Sequence, residues 1–144
     1  MYRHRQTGWL MMAALGLLSA TLASIAYSSR QAGPLVPLCI VLLALILFCS
    51  ITVALDENQI EVRFGPGWVK KRWRLAEIQS CRPVRNRWWY GWGIRWIGRR
   101  KWLFNVAGLD AVELAMKDGT IYRIGTDEPQ KLSELIQDKL KRAI

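Results

Sequence analysis

The residues best suited to chemistry in this 144-residue chain form one run: Arg85-Asn86-Arg87-Trp88-Trp89-Tyr90-Gly91-Trp92-Gly93-Ile94-Arg95-Trp96-Ile97-Gly98-Arg99-Arg100-Lys101-Trp102. It interleaves Trp with Arg and Lys, and no Asp or Glu occurs from Gln79 to Leu109. Such a run binds rather than breaks bonds. Indole rings favour the water–lipid boundary, and Arg and Lys are drawn to anionic headgroups. The same residue types make hot spots at protein interfaces and stack the bases of single-stranded nucleic acid. The candidate lipid- or partner-binding residues are Arg85, Arg87, Trp88, Trp89, Arg95, Arg99, Arg100 and Lys101.

Adjacent residues of a strand point to opposite faces, so at least one of Trp88 and Trp89 is expected outside the core. Trp92, Trp96 and Trp102 are expected inside it, with Gly91 and Gly93 allowing close backbone packing. Catalysis finds no support. There is no Ser/His/Asp set, metal-ligand cluster or phosphate loop, and Gly91-Trp92-Gly93 lacks the third glycine and the helix of a dinucleotide fingerprint. Asp110 and Glu113 are read as balancing nearby Arg. His4, the sole histidine, is read as a topology charge in an N-terminal tail. Cys39, Cys49 and Cys81 have neither zinc-finger nor CxxC spacing and read as small buried residues kept reduced. The expectation is a non-enzyme without a cofactor.

What must position the aromatic–basic run is a membrane anchor. No residue from Gln6 to Ser29 is charged, none is from Gln31 to Leu55, and Arg30 alone separates the two stretches. About 20 apolar residues at 1.5 Å each cross a hydrocarbon core of about 30 Å. A transmembrane hairpin is therefore predicted in residues 1–55, with spans at about 8–29 and 34–54 and a Gly33-Pro34 turn. Arg3 and Arg5 precede the first span, and Arg63, Lys70, Lys71, Arg72 and Arg74 follow the second. The positive-inside rule puts both termini in the cytoplasm of a multi-pass inner (plasma) membrane protein. A cleaved signal peptide is the rival reading, but the apolar stretch is long for one and Ser24-Ile25-Ala26 is a poor cleavage site.

Residues 56–144 suffice for one small cytoplasmic domain, carrying 18 Lys/Arg against 11 Asp/Glu. Ile60, Val62 and Phe64 alternate with Glu61 and Arg63 as in a half-buried strand. Gly65-Pro66-Gly67 reverses the chain into a strand ending at Leu75, and Ile78 to Val84 reads as a third, with Pro83 marking an edge. Strands are also predicted at Trp102–Val106, at Ala111–Met116 and, after the Asp118-Gly119 turn, at Ile121–Ile124. From Asp127 the period becomes helical, and Leu132, Leu135, Ile136 and Leu140 make one apolar stripe. That helix is expected to cover an open end or edge of the sheet.

Leu75-Ala76-Glu77-Ile78, Gly91-Trp92-Gly93-Ile94-Arg95 and the run from Asn105 to Leu114, with Asp118-Gly119 and Ile124-Gly125-Thr126-Asp127-Glu128-Pro129, occur in this order behind a hairpin. In this the chain resembles the bacterial pleckstrin-homology-like membrane proteins, over nearly all of residues 52–142. The resemblance implies a mainly-β PH-like split barrel capped by a C-terminal α-helix, and little defined activity. Relatives by fold often bind phosphoinositides near the first strand–strand turn. Here that turn is Asp56-Glu57-Asn58-Gln59, which is acidic, so the site is not carried over.

The expected function is a membrane-apposed adaptor or scaffold whose Trp/Arg run touches anionic lipid, since the tether keeps the run near the bilayer. The competing reading is an accessory subunit of a membrane complex whose domain docks a protein partner. Ser19, Ala20, Ala23 and Ser24 line the first helix with small residues suited to helix–helix contact. No nucleic-acid partner is expected.

Overall fold

The computed structural model describes residues 1–142. Its order is β1 (Tyr2–Thr7), α1 (Trp9–Ser29), α2 (Leu35–Phe48), β2 (Ser50–Leu55), β3 (Gln59–Phe64), β4 (Val69–Arg74), β5 (Ile78–Arg85), β6 (Gly93–Gly98), β7 (Lys101–Asn105), β8 (Asp110–Met116), β9 (Ile121–Gly125) and α3 (Pro129–Arg142). Short 3-10 turns occupy Leu75–Glu77 and Trp88–Tyr90.

α1 and α2 form the expected apolar hairpin. α1 stops where Arg30 enters the left-handed region, at φ 52°, and the chain folds back through Gly33-Pro34. Its 21 residues span about 31 Å. Among the described residues α1 is the one helix long and apolar enough to cross a membrane. α2 has 14 residues, or about 21 Å. A second crossing does not follow from that length, nor does the orientation of the termini.

The expected span 34–54 is thus too long by several residues. Its last part, Ser50-Ile51-Thr52-Val53-Ala54-Leu55, is strand β2. The reason is visible in the period: Ile51, Val53 and Leu55 alternate into the core, and the β-branched residues suit a pleated ladder between two partners. One partner is β1, the segment read as a charged tail. Tyr2 pairs with Leu55 and Thr7 with Ser50. The hairpin is therefore an insertion between two paired strands.

The strands form an antiparallel sheet in the order β1-β2-β3-β4 and a five-stranded sheet in the order β5-β8-β9-β7-β6, with β7 and β9 parallel. No closed barrel forms among the described residues. Ile51, Val53, Leu55, Ile60, Val62 and Phe64 of the first sheet meet Phe104, Val112, Leu114 and Ile124 of the second in one core. Trp73 lies inside it, edge-on to Phe104 at 5.5 Å and 4.9 Å from the Tyr122 ring. Leu132 and Ile136 of α3 pack against the edge strand β5 and its neighbour β8. The helix covers a sheet edge as its stripe predicts.

Candidate functional site: the aromatic and basic surface

β5 and β6 lie on opposite edges of the five-stranded sheet, so residues 86–92 must run from one edge to the other. Asn86 starts the crossing, its amide donating to the Leu109 carbonyl at 2.6 Å and its Oδ1 accepting from Arg123 at 3.2 Å. The Arg123 guanidinium sits 6.0 Å over the Tyr90 ring, and Arg95 reaches the Tyr90 carbonyl at 3.5 Å. Leu103 is fully buried although it stands between Arg95 and Arg123, on the face turned away from the core. The crossing therefore lies on the outer face of the sheet.

Trp88 and Trp89 sit on a 3-10 turn, not in a strand, and both are exposed, at 77% and 55%. They meet edge to face, with ring centroids 5.9 Å apart, and Arg87 stands 5.1 Å over the Trp89 ring. Arg99 and Arg100 form the β6–β7 turn, with Arg100 at φ 56°. Arg100 is tied to the β8–β9 turn through Thr120 at 3.3 Å and Asp118 at 3.7 Å. Arg87, Trp88 and Trp89 thus belong to the outer-face crossing, with Arg85 ending β5 just before it, whereas Arg99 and Arg100 form the β6–β7 turn and Lys101 opens β7. Arg95 leans from β6 towards the crossing. The candidate residues divide between two places.

Trp96 and Trp102 do not lie in the core. They face each other across β6 and β7 and are 68% and 40% exposed. Both share a sheet face with Ile94 and Phe104, so the face is the core-directed one. β6 is the last strand of its sheet, and Phe104 is the last of these side chains that the core encloses. Trp92 is half-buried, and of the eight tryptophans, all among the described residues, only Trp73 is buried. Gly91 and Gly93 serve backbone conformation, at φ 69° and 98°, and a Cβ on Gly93 would meet nothing within 4 Å. A Cβ on Gly91 would meet only the guanidinium of Arg95, at 3.2 Å, so neither glycine packs closely against backbone.

Two buried carboxylates are taken up by structure. Burial alone would raise the Glu113 carboxyl, but hydrogen bonds from Arg82 and Arg123 hold it below the usual range. Glu61 is held low in the same way, against the effect of burial, by Arg63 and Arg72. This bears out the reading of Glu113 as a partner for Arg. His4 is not a free tail charge: it stands 2.5 Å from Asp127, while Tyr2 donates to Glu128 at 2.9 Å. Among the described residues no group of three or more His, Cys, Asp or Glu could hold a metal ion. Cys81 is buried, whereas Cys39 is exposed on α2 and Cys49 is half-buried, so burial holds for one of the three thiols.

No protein-family model matches the chain, and no curated protein matches it either.

Proposed function

We propose that this is a membrane protein whose α1–α2 hairpin is embedded in lipid and whose β domain acts by binding, as an adaptor or scaffold held against the cytoplasmic face. The observation that carries the reading is the hairpin's surface. Leu17, Ile25, Val36, Ile40, Leu43 and Ile46 are exposed on helices that contain no fully buried apolar side chain. Soluble proteins rarely leave so large an apolar surface uncovered. α2, at about 21 Å, is shorter than a hydrocarbon core of about 30 Å, a mismatch that local thinning of the bilayer and polar flanking residues would have to take up. The Lys/Arg excess on both sides of the hairpin base supports cytoplasmic termini.

The resemblance to bacterial PH-like proteins agrees with this reading in having sheets followed by a covering C-terminal helix. The parallel β7–β9 pair and the unclosed sheets are departures from it. A second reading, docking of a protein partner, is favoured by the Trp88–Trp89 pair, which projects with Arg87 from the outer face as an aromatic and Arg anchor would.

The test is alkaline extraction of membranes holding the full-length chain, with reporters at either terminus. The protein is expected to remain with the lipid and both reporters to be active in the cytoplasm. Release into the alkaline supernatant overturns the membrane reading; a reporter active outside overturns the orientation. The full chain is needed because residues 56–144 alone lack β1 and β2, half of the first sheet.

A further inference from the structure

The contacts of β1 fix how the five-stranded sheet stands relative to the hairpin. At the hairpin end, a Cβ on Gly8 would lie 2.8 Å from the Val106 carbonyl oxygen, just past β7. Gly108 approaches Gln6, two residues further from α1. His4 then meets Asp127, and Tyr2 meets Glu128, both past the end of β9. Moving away from the hairpin along β1, the neighbours change from the end of β7 to the end of β9. The second sheet therefore lies across β1, with β7 nearer the hairpin than β9.

Sheet order extends this result. β6 lies beyond β7 on the hairpin side, while β8 and β5 lie beyond β9 on the far side. Two independent contacts agree. Phe48, the last residue of α2, touches Phe64 at 5.5 Å, and Phe64 touches Phe104 of β7 at 6.2 Å. At the far end, Lys139 of α3 pairs at 2.7 Å with Glu57, beyond the end of β2 that is remote from α2.

The edge closest to the hairpin is thus β6, which carries Trp96 paired with Trp102. Two more exposed tryptophans lie at this end. Trp9 is the first residue of α1, and Trp68 is the last residue of the β3–β4 turn, where a Cβ on Gly65 would run into the carbonyl oxygens of Ile46 and Leu47. Lys70, Arg99 and Lys101 stand beside these rings in sequence and have no ion-pair partner among the described residues. Indoles with flanking cations suit the headgroup layer of an anionic leaflet.

We propose that the β6 edge of the domain rests on the phospholipid headgroups of the bilayer that holds the hairpin, seating Trp96 and Trp102 at the boundary with Trp9 and Trp68. This rests on the membrane reading above and sharpens it. In this placement the exposed pair Trp88–Trp89, on the crossing that joins β5 to β6, is the part of the run left to water.

The experiment uses the full-length chain in vesicles containing phosphatidylglycerol, with lipids brominated near the headgroup end of the acyl chain as one quencher and acrylamide as the other. Three variants are compared with the parent: Trp9→Phe, Trp96→Phe/Trp102→Phe and Trp88→Phe/Trp89→Phe. The Trp96/Trp102 variant is expected to lose part of the lipid-quenched emission, and the Trp88/Trp89 variant to lose acrylamide-quenched emission only. Loss of acrylamide-quenched emission alone on replacing Trp96 and Trp102 overturns the proposal, provided Trp9→Phe removes a lipid-quenched component. Failure of the chain to enter vesicles, or a Trp9 that lipid does not quench, overturns the membrane reading and the proposal with it. Near-ultraviolet circular dichroism of each variant checks that the fold is retained.

Discussion

The amide of Gly8 donates to the carbonyl oxygen of Cys49 at 2.9 Å, closing the base of the hairpin where β1 becomes α1 and α2 becomes β2. This bond joins the apolar helices to the sheet that carries the core. Any load on the helices reaches the domain through two adjacent, paired strands rather than through a flexible linker.

Gly8 is accordingly expected to tolerate no side chain. A Cβ there would press on the Val106 carbonyl at 2.8 Å, and the obstacle is backbone, which cannot rotate away. Gly8→Ala should cost about 1–3 kcal/mol in denaturant unfolding of the detergent-solubilised protein. Gly16→Ala is the control, since nothing lies within 4 Å of that position. It should leave stability unchanged or raise it by up to about 1 kcal/mol through helix propensity. Equal effects at the two glycines would mean that the hairpin base is not packed as described.

Glu113 is buried, and its two arginines are not equivalent: Arg123 is 15% exposed and Arg82 71%. Arg123→Met should cost about 3 kcal/mol, because it leaves the buried carboxylate with only the solvent-exposed Arg82 as a partner, and Arg82→Met about 1 kcal/mol or less. The carboxyl is held below its unfolded value of about 4.3, so its contribution is complete above that pH and is lost as pH falls through the lower folded value. Denaturant curves taken from neutral to acid pH should show a shallower loss of stability for Glu113→Gln than for the parent. A parallel loss would assign the acid sensitivity to other groups.

Much of the domain was legible because its periods are clean. Ile60/Val62/Phe64, Val112/Leu114 and the α3 stripe each point one way, and each element forms where its pattern lies. β1 was illegible because Tyr2-Arg3-His4-Arg5-Gln6-Thr7 has no apolar alternation; its pairing is set by β2 and by Asp127 and Glu128, more than 100 residues away. β2 was hidden by composition, since Ile51, Thr52 and Val53 extend an apolar helix as smoothly as they form a strand. The tryptophans misled for a geometric reason. Local sequence reports which face of β6 a ring occupies, and Trp96 is on the core-directed face. It does not report that the opposing sheet fails to reach that edge.

The cysteines give an inexpensive check of the same arrangement. Burial pushes the Cys81 thiol up, an effect only partly offset by its contact with Ser133, so in the folded chain it should resist alkylation at neutral pH. Cys39 is exposed on α2, yet lipid should cover it in vesicles. A membrane-impermeant maleimide is expected to leave both unlabelled in vesicles, and a denaturing detergent to release both. Prompt labelling of Cys39 in intact vesicles would place α2 in water.

α3 protects the edge of β5 as well as filling the core. Gln137 donates at 3.0 Å to the Cys81 carbonyl, supplying a partner where a further strand would pair, and Leu132 and Ile136 are fully buried beneath the helix. Leu132→Ala should therefore cost about 2–5 kcal/mol, while Leu135→Ala, at a partly buried position, should cost less. The larger effect has a second consequence. An edge strand that loses its cover becomes a template for pairing with another chain. Leu132→Ala protein should scatter light on mild warming, at temperatures where Leu135→Ala protein still behaves as the parent. If both variants lose stability equally and neither self-associates, α3 does not shield β5, and the edge must be protected by its own Pro83 and exposed arginines.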